Sequence, residues 1–193
     1  MEISDLVSLE GVIVNLCVTS KKQALQNLAR RAAKITGEPE CVIYEVWIER
    51  ERLGTTGVGN GIALPHGKLP QLGKLYGLFA QLDTPIDFDA IDEQPVDLIC
   101  PLLVPESAGA DNLRALARVT QLLLDRSIRE KLRGSDSVEA IHALLTRSTD
   151  IRRKPSTAHP IARPAVGELT ERRPPYTSRS RDRIEGDLAA SAG

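Results

Sequence analysis

Apolar residues recur at two different spacings along this chain, and the alternation predicts helices interspersed with strands. A helix over about residues 21–36 is predicted by apolar side chains three or four positions apart: Leu25, Leu28, Ala32 and Ile35. Ser20 and Gln23 at its start are the residue types of a capping box, in which each side chain satisfies a free backbone N–H group. Gly37 supplies the expected end.

Four more helices follow from the same spacing. Pro39 suits a first helical turn, and Gly54 closes that second helix. Its apolar stripe consists of Val42, Ile43, Val46, Trp47 and Leu53. Asp111 is expected to cap a third helix, a short helix is predicted over residues 127–133, and Ser135 is expected to begin the last one.

Short apolar runs predict the strands. These runs cover residues 12–16, 62–64, 75–82 and 96–104. Pro101 interrupts the last run and cannot donate to a sheet ladder, so we expect an edge position or a bulge there. Strands with helices before, between and after them indicate an α/β layered domain with the sheet in the middle.

Composition is typical of a soluble globular protein, because 41% of the 193 residues are hydrophobic and 26% are charged. No apolar run is long enough to span a bilayer and the first residues do not resemble a signal peptide, so we expect a cytoplasmic protein without membrane insertion. Cys17, Cys41 and Cys100 are odd in number and far apart in sequence. They are therefore expected to be free buried thiols, with no zinc site.

The net charge of −1 conceals an uneven distribution. Residues 151–193 hold nine basic and five acidic side chains, a net charge of +4, which leaves −5 for residues 1–150. This basic tail also holds five of the twelve prolines and few branched aliphatic residues, so we predict that it is disordered. We expect residues 1–150 to form one domain, whose acidic charge offers no footprint for nucleic acid.

The segment Gly57–Lys68 carries the candidate chemistry. Its alternate glycines allow close backbone approach, and Pro65 stiffens the step before His66. We predict that His66 lies at the end of a strand and is presented to a partner. The alternative is a structural histidine at a strand end, which is the more frequent situation for an isolated histidine.

This segment also resembles a known family. Glu51, Val58-Gly59 and Ile62–Gly67 have the spacing of the active-histidine signature of type 2 (fructose/mannitol-like) enzyme IIA domains of the bacterial phosphotransferase system. The residues around it, Arg50–Gly57 and Phe88–Asp97, resemble the nitrogen-regulatory branch of that family. The resemblance covers about residues 1–150 and implies a mixed sheet flanked by helices.

The resemblance implies that His66 carries a phosphoryl group received from a histidine phosphocarrier protein. Arg50 matches an arginine of the family's motif whose planar donors suit phosphoryl oxygens; the alternative is a solvated arginine at a helix end. From the residues alone, Thr56 is a further candidate for stabilising the phosphoryl oxygens, and the alternative is that it simply forms the turn. Asn112 stands where many family members have a second histidine, and it can donate a hydrogen bond but cannot titrate. Backbone N–H groups of the glycine-rich segment are expected to help as an anion nest.

The implied function is a phosphoryl relay that regulates target proteins, such as transporters or kinases, by its phosphorylation state. Two alternatives stay open: a free-standing sugar-specific enzyme IIA that feeds a IIB component, and a binding module that has the fold without the chemistry. We expect no cofactor, no metal and no ATP site, because the glycine-rich segment matches neither a dinucleotide fingerprint nor a P-loop.

Overall fold

The computed structural model of the chain describes residues 3–106 and 109–147, with side chains for residues 5–106 and 114–146. The helices in this part are α1 (Ile3–Leu6), α2 (Lys21–Thr36), α3 (Glu40–Arg52), α4 (Gly109–Leu124), α5 (Arg126–Arg133) and α6 (Val138–Arg147). The strands are β1 (Val7–Leu16), β2 (Gly57–Gly59), β3 (Ile62–Ala63), β4 (His66–Leu69), β5 (Tyr76–Ile86), β6 (Val96–Ile99) and β7 (Leu102–Pro105). The tail predicted from residue 151 onward lies outside the described residues.

One mixed sheet joins the seven described strands. The long strand β5 pairs in parallel with β1 on one side, and on the other side it pairs antiparallel with β6 and β7. Next to these, β3 runs parallel to β6 and β4 runs parallel to β7. A hairpin adds β2 antiparallel to β3. The prediction of an α/β layered domain with a central mixed sheet is therefore confirmed.

Two prolines interrupt neighbouring strands at the same level of the sheet. The single strand predicted over residues 96–104 is two strands, β6 and β7, separated at Pro101 because a proline has no N–H to continue the ladder. Pro65 separates β3 from β4 in the same way, and its carbonyl accepts a hydrogen bond from the N–H of Leu102 at 2.8 Å. His66 is consequently the first residue of β4, paired with Leu102, and not the last residue of the preceding strand as predicted.

Each face of the sheet carries its own hydrophobic core. Helices α2 and α3 cover one face, where Trp47 and Phe88 are completely buried. Helices α4, α5 and α6 cover the other face, where Phe79 of β5 is completely buried. The stripe predicted for α3 is only partly right, because Val42 is 38% exposed and Leu53, just beyond the helix, is 86% exposed.

The helix ends largely follow the predicted signals. The side chain of Ser20 accepts the N–H of Gln23, and Gly37 ends α2 with a positive φ of 81°. The Gln23 side chain accepts the N–H and the hydroxyl of Thr19, one residue earlier than a capping box requires. Helix α4 begins at Gly109, so Asp111 lies inside the helix and does not cap it as predicted, and α6 begins at Val138, three residues after the predicted Ser135.

The three cysteines are free, but two of the burial predictions were wrong. Cys17 follows the end of β1 and Cys41 lies in the first turn of α3, and both are exposed, whereas Cys100 is buried. Apolar neighbours in sequence do not bury a side chain that points away from the core. Among the described helices, none combines the length and the apolar character that a bilayer crossing requires.

Candidate functional site

His66 is partly buried and makes one hydrogen bond through each ring nitrogen. Its Nδ1 lies 2.9 Å from the carbonyl oxygen of Leu64, and its Nε2 lies 2.9 Å from the Nε of Arg50. A guanidinium only donates, so Nε2 must be the acceptor and Nδ1 must carry the proton that Leu64 accepts. The geometry therefore assigns a neutral ring whose electron pair is on Nε2, where it accepts the N–H of Arg50.

The surroundings of His66 favour this neutral form. Burial lowers the pKa of His66 below its ordinary value of 6.5, and the nearby charge of Arg50 lowers it further. The hydrogen bond to Leu64 and the charge of Glu51 oppose the shift without reversing it. At neutral pH the ring is uncharged, and its Nε2 can act as a nucleophile once Arg50 releases its hydrogen bond to this nitrogen.

Close packing between α3 and β4 brings Arg50 to His66. A Cβ on Gly67 would lie 3.0 Å from the Cβ of Val46, so a larger residue would require the helix to give way by a few tenths of an ångström. Trp47 joins α3 to the neighbouring strand β7, because its Nε1 donates at 3.1 Å to the carbonyl of Leu102, which pairs with His66. Arg50 follows on the last turn of α3, where its second donor group bonds to the carbonyl of Gly54 at 2.9 Å.

Thr56 is buried, with 3% of its surface exposed, and its hydroxyl donates to Glu51 at 2.5 Å. Contact with a phosphoryl group would require that hydroxyl to leave Glu51, so the predicted role of Thr56 stays a prediction. The role of Asn112 also stays a prediction, because its side chain lies outside the described ones. Helix α4, which carries Asn112, reaches the site at Leu116.

The glycine-rich segment forms the β2–β3 hairpin. Asn60 and Gly61 at its turn both have positive φ angles, 58° and 77°, as a type I′ turn requires. The N–H of Asn60 donates to Asp92 at 2.7 Å and that of Gly57 donates to Thr55 at 3.1 Å. Both amides therefore have acceptors within the fold, and the predicted anion nest is wrong for them. The Asn-Gly pair was the sequence signal for this hairpin.

An open pocket of about 730 Å³ adjoins His66. It lies between α3, β4 and α4, and its apolar lining comes from Val46, Leu53, Leu102, Val104 and Leu116. Arg50 and His66 are the polar groups at its edge that hydrogen-bond to each other. The arrangement is a nucleophilic imidazole and a guanidinium beside an apolar surface depression.

Comparison with known proteins places the chain in a family. Residues 5–148 match the family model described as phosphoenolpyruvate-dependent sugar phosphotransferase system, EIIA 2. A nitrogen regulatory protein of Bradyrhizobium diazoefficiens is 57% identical over 145 residues, which are 75% of this chain and 95% of the relative. A fructose-specific EIIA component of Haloferax volcanii is 32% identical, over 75% of this chain and 94% of the relative. The crystal structure of nitrogen regulatory protein IIA-Ntr from Neisseria meningitidis superposes with a TM-score of 0.72 at 33% identity, covering 75% of this chain and 99% of that one.

The chain belongs to the type 2 EIIA family of the phosphoenolpyruvate-dependent sugar phosphotransferase system, a family of phosphoryl-transferring proteins. The predicted resemblance to the nitrogen-regulatory branch of this family is confirmed by the relatives and by the solved structure.

Proposed function

We propose that the protein is a regulatory phosphoryl carrier. It accepts a phosphoryl group on Nε2 of His66 from a histidine phosphocarrier protein and regulates partner proteins according to its phosphorylation state. The observation that supports this most directly is the neutral imidazole with its Nε2 electron pair 2.9 Å from a guanidinium N–H. All the residues with a proposed role lie within the predicted domain, residues 1–150.

The proposed transfer requires no metal and no outside proton. The Nε2 electron pair attacks the phosphorus of the donor's phosphohistidine, the donor's N–P bond breaks, and that electron pair returns to the donor ring. The donor ring, protonated on its other nitrogen while phosphorylated, becomes neutral. His66 becomes the positively charged partner, and its Nδ1–H keeps the hydrogen bond to Leu64 that helps to stabilise this charge.

Arg50 has two tasks in this proposal. Before transfer it holds the ring through Nε2, and during transfer its N–H groups turn to the phosphoryl oxygens, where negative charge is spread in the transition state. Its fixed, planar set of donors suits this exchange of one acceptor for another. The apolar pocket beside it gives a protein donor a surface on which to dock.

The regulatory function is favoured by the similarity to proteins named as nitrogen regulatory. A sugar-specific enzyme IIA is the second candidate, because a fructose-specific EIIA component is also a close relative in sequence. Incubating the phosphorylated protein with purified IIB components separates the two. Efficient onward transfer contradicts the regulatory function, whereas a phosphoryl group that stays on the protein supports it.

The basic experiment is phosphorylation with phosphoenolpyruvate, the kinase of the phosphocarrier and the phosphocarrier itself. Intact-protein mass spectrometry should show one acid-labile phosphoryl group, and His66→Ala should abolish it. His142→Ala is the matched control, because this histidine bonds to the carbonyl of Val7 on another part of the fold. A wild-type protein that takes up no phosphoryl group is a binding module, and this result would overturn the proposal.

A further inference from the structure

The carboxylate of Glu51 is the centre of a hydrogen-bond cluster behind the site. Glu51 lies on the last turn of α3, directly after Arg50, and its side chain is only 9% exposed. It accepts the N–H of Thr56 at 3.0 Å and the hydroxyl of the same residue at 2.5 Å. The Nζ of Lys21, at the start of α2, donates to its other oxygen at 3.0 Å.

One branch from this cluster leads to the ring of His66. The carbonyl of Thr56, which Glu51 holds in place, accepts the N–H of Leu64 at 2.9 Å. The carbonyl of Leu64 in turn accepts the Nδ1–H of His66 at 2.9 Å. Glu51 is thus connected, through two backbone segments, to the hydrogen bond that keeps the proton on Nδ1 and the electron pair on Nε2.

The other branch leads to Arg50. Glu51 and Thr56 together close the turn between α3 and β2, and the carbonyl of Gly54 within this turn accepts a hydrogen bond from Arg50 at 2.9 Å. Gly54 has a φ of 147°, so the turn depends on a conformation that other residues rarely adopt. The hydrogen bonds from Thr56 to the Glu51 side chain therefore help to fix the Gly54 carbonyl and, through it, the direction of the guanidinium, together with the bond that the N–H of Gly54 donates to the carbonyl of Glu51 at 3.2 Å.

Lys21 compensates the charge of the buried carboxylate. Its Nζ also bonds to Asp89 at 2.6 Å and lies 4.9 Å from the centre of the Phe88 ring. Burial lowers the pKa of Lys21, but the hydrogen bonds to Asp89 and Glu51 outweigh it and leave the pKa raised, so Lys21 is charged. An unpaired carboxylate behind the site would repel the incoming phosphoryl group.

We propose that Glu51, neutralised by Lys21, is a positioning residue for phosphoryl transfer: it holds the Nδ1–H form of His66 and the direction of Arg50 without touching the phosphoryl group. This inference rests on the function proposed above and adds a role for two side chains behind the site.

Glu51→Gln tests the proposal. The amide has the same size, but it has only one acceptor oxygen and no charge, so it cannot accept the N–H and hydroxyl of Thr56 and the Nζ of Lys21 as strongly as the carboxylate does. The expected result is a fall of between about tenfold and a hundredfold in the maximal rate of phosphorylation, with the KM for the phosphocarrier little changed, since docking is unaffected. Lys21→Met, which leaves the carboxylate in place, should also lower the rate, and Lys21→Arg should restore most of it. Glu40→Gln, at the other end of α3, loses only the exposed pair with Arg30 and is the matched control.

Nitrogen NMR of the unphosphorylated proteins measures which nitrogen of the His66 ring carries the proton. A variant that is merely less stable would not change this tautomer. Wild type and Glu40→Gln should show one Nδ1–H tautomer, and Glu51→Gln should show a mixture. Unchanged ring signals and an unchanged rate in Glu51→Gln and Lys21→Met overturn the positioning role. A wild-type protein that takes up no phosphoryl group instead overturns the function proposed above, and the ring signals still decide whether Glu51 sets the tautomer.

Discussion

Replacement of Arg50 by methionine tests whether the guanidinium stabilises the phosphoryl group. Methionine keeps much of the length of the arginine side chain and removes both hydrogen bonds that Arg50 makes, to His66 and to Gly54. In the proposed transfer these donors turn to the phosphoryl oxygens, where they act as preorganised donors to developing charge. Loss of one such donor typically lowers a rate by about 10²–10³, or roughly 2.7–4 kcal/mol.

We therefore expect Arg50→Met to lower the maximal rate of phosphorylation of His66 by about 10²–10³. Arg50→Lys keeps the charge but not the planar pair of donors, so its rate should lie between those of Arg50→Met and wild type. The assay is a rapid-quench time course with phosphorylated phosphocarrier in excess, followed by intact-protein mass spectrometry. It should be run at pH 8, because loss of Arg50 also removes one of the influences that lower the pKa of His66.

Arg52→Met is the control, because Arg52 lines the same pocket and is exposed on the same turn of α3. Its rate should stay close to that of wild type, and thermal unfolding of both variants should confirm that they fold. If Arg50→Met is phosphorylated as fast as Arg52→Met, the guanidinium does not stabilise the transition state and the assigned role of Arg50 is refuted.

Three further predictions follow from the site and its surroundings. Burial, and then the charge of Arg50, lower the pKa of His66 below 6.5. The rate of phosphorylation should therefore stay constant as the pH falls to 6.5 and decline only at lower pH. A midpoint at or above 6.5 in the pH–rate profile would contradict this. Gly67→Ala places a methyl group 3.0 Å from Val46 and should destabilise the fold by about 1–3 kcal/mol in denaturant titrations, whereas an unchanged unfolding midpoint would show that the helix can move away. Burial raises the pKa of Cys100 to about 12, so iodoacetamide should modify the other two cysteines in the folded protein and Cys100 only after unfolding, as peptide mass spectrometry can show.

The elements that local chemistry determines were predictable from the sequence. The bounds of α2 follow from its apolar spacing, from Ser20 and from Gly37, all of which act within a few residues. The interruption at Pro101 was also predictable, because a proline has no N–H to donate to the hydrogen-bond ladder of a sheet. What the local pattern could not show is that Pro65 and Pro101 interrupt adjacent strands side by side, which makes His66 the first residue of a new strand.

The arrangement around His66 was only partly predictable, because it depends on contacts between distant segments. The sequence pointed to His66 and Arg50, which the structure brings into direct contact. The contact between Lys21 and Glu51 joins residues thirty positions apart, and no periodicity or motif announces it. The sequence shows the hydroxyl of Thr56 and so predicts a donor to the phosphoryl group. It does not show that Glu51 already accepts that hydroxyl.

The single tryptophan of the chain lies where it can follow events at the site optically. Trp47 is completely buried, its Cδ1 lies 3.4 Å from the position of a Cβ on Gly67, and its Nε1 holds the carbonyl of the residue paired with His66. A shift of β4 relative to α3 on phosphorylation of His66 should change the polarity around the indole. The intrinsic fluorescence of the unlabelled protein should therefore follow the phosphorylation and dephosphorylation of His66 in real time.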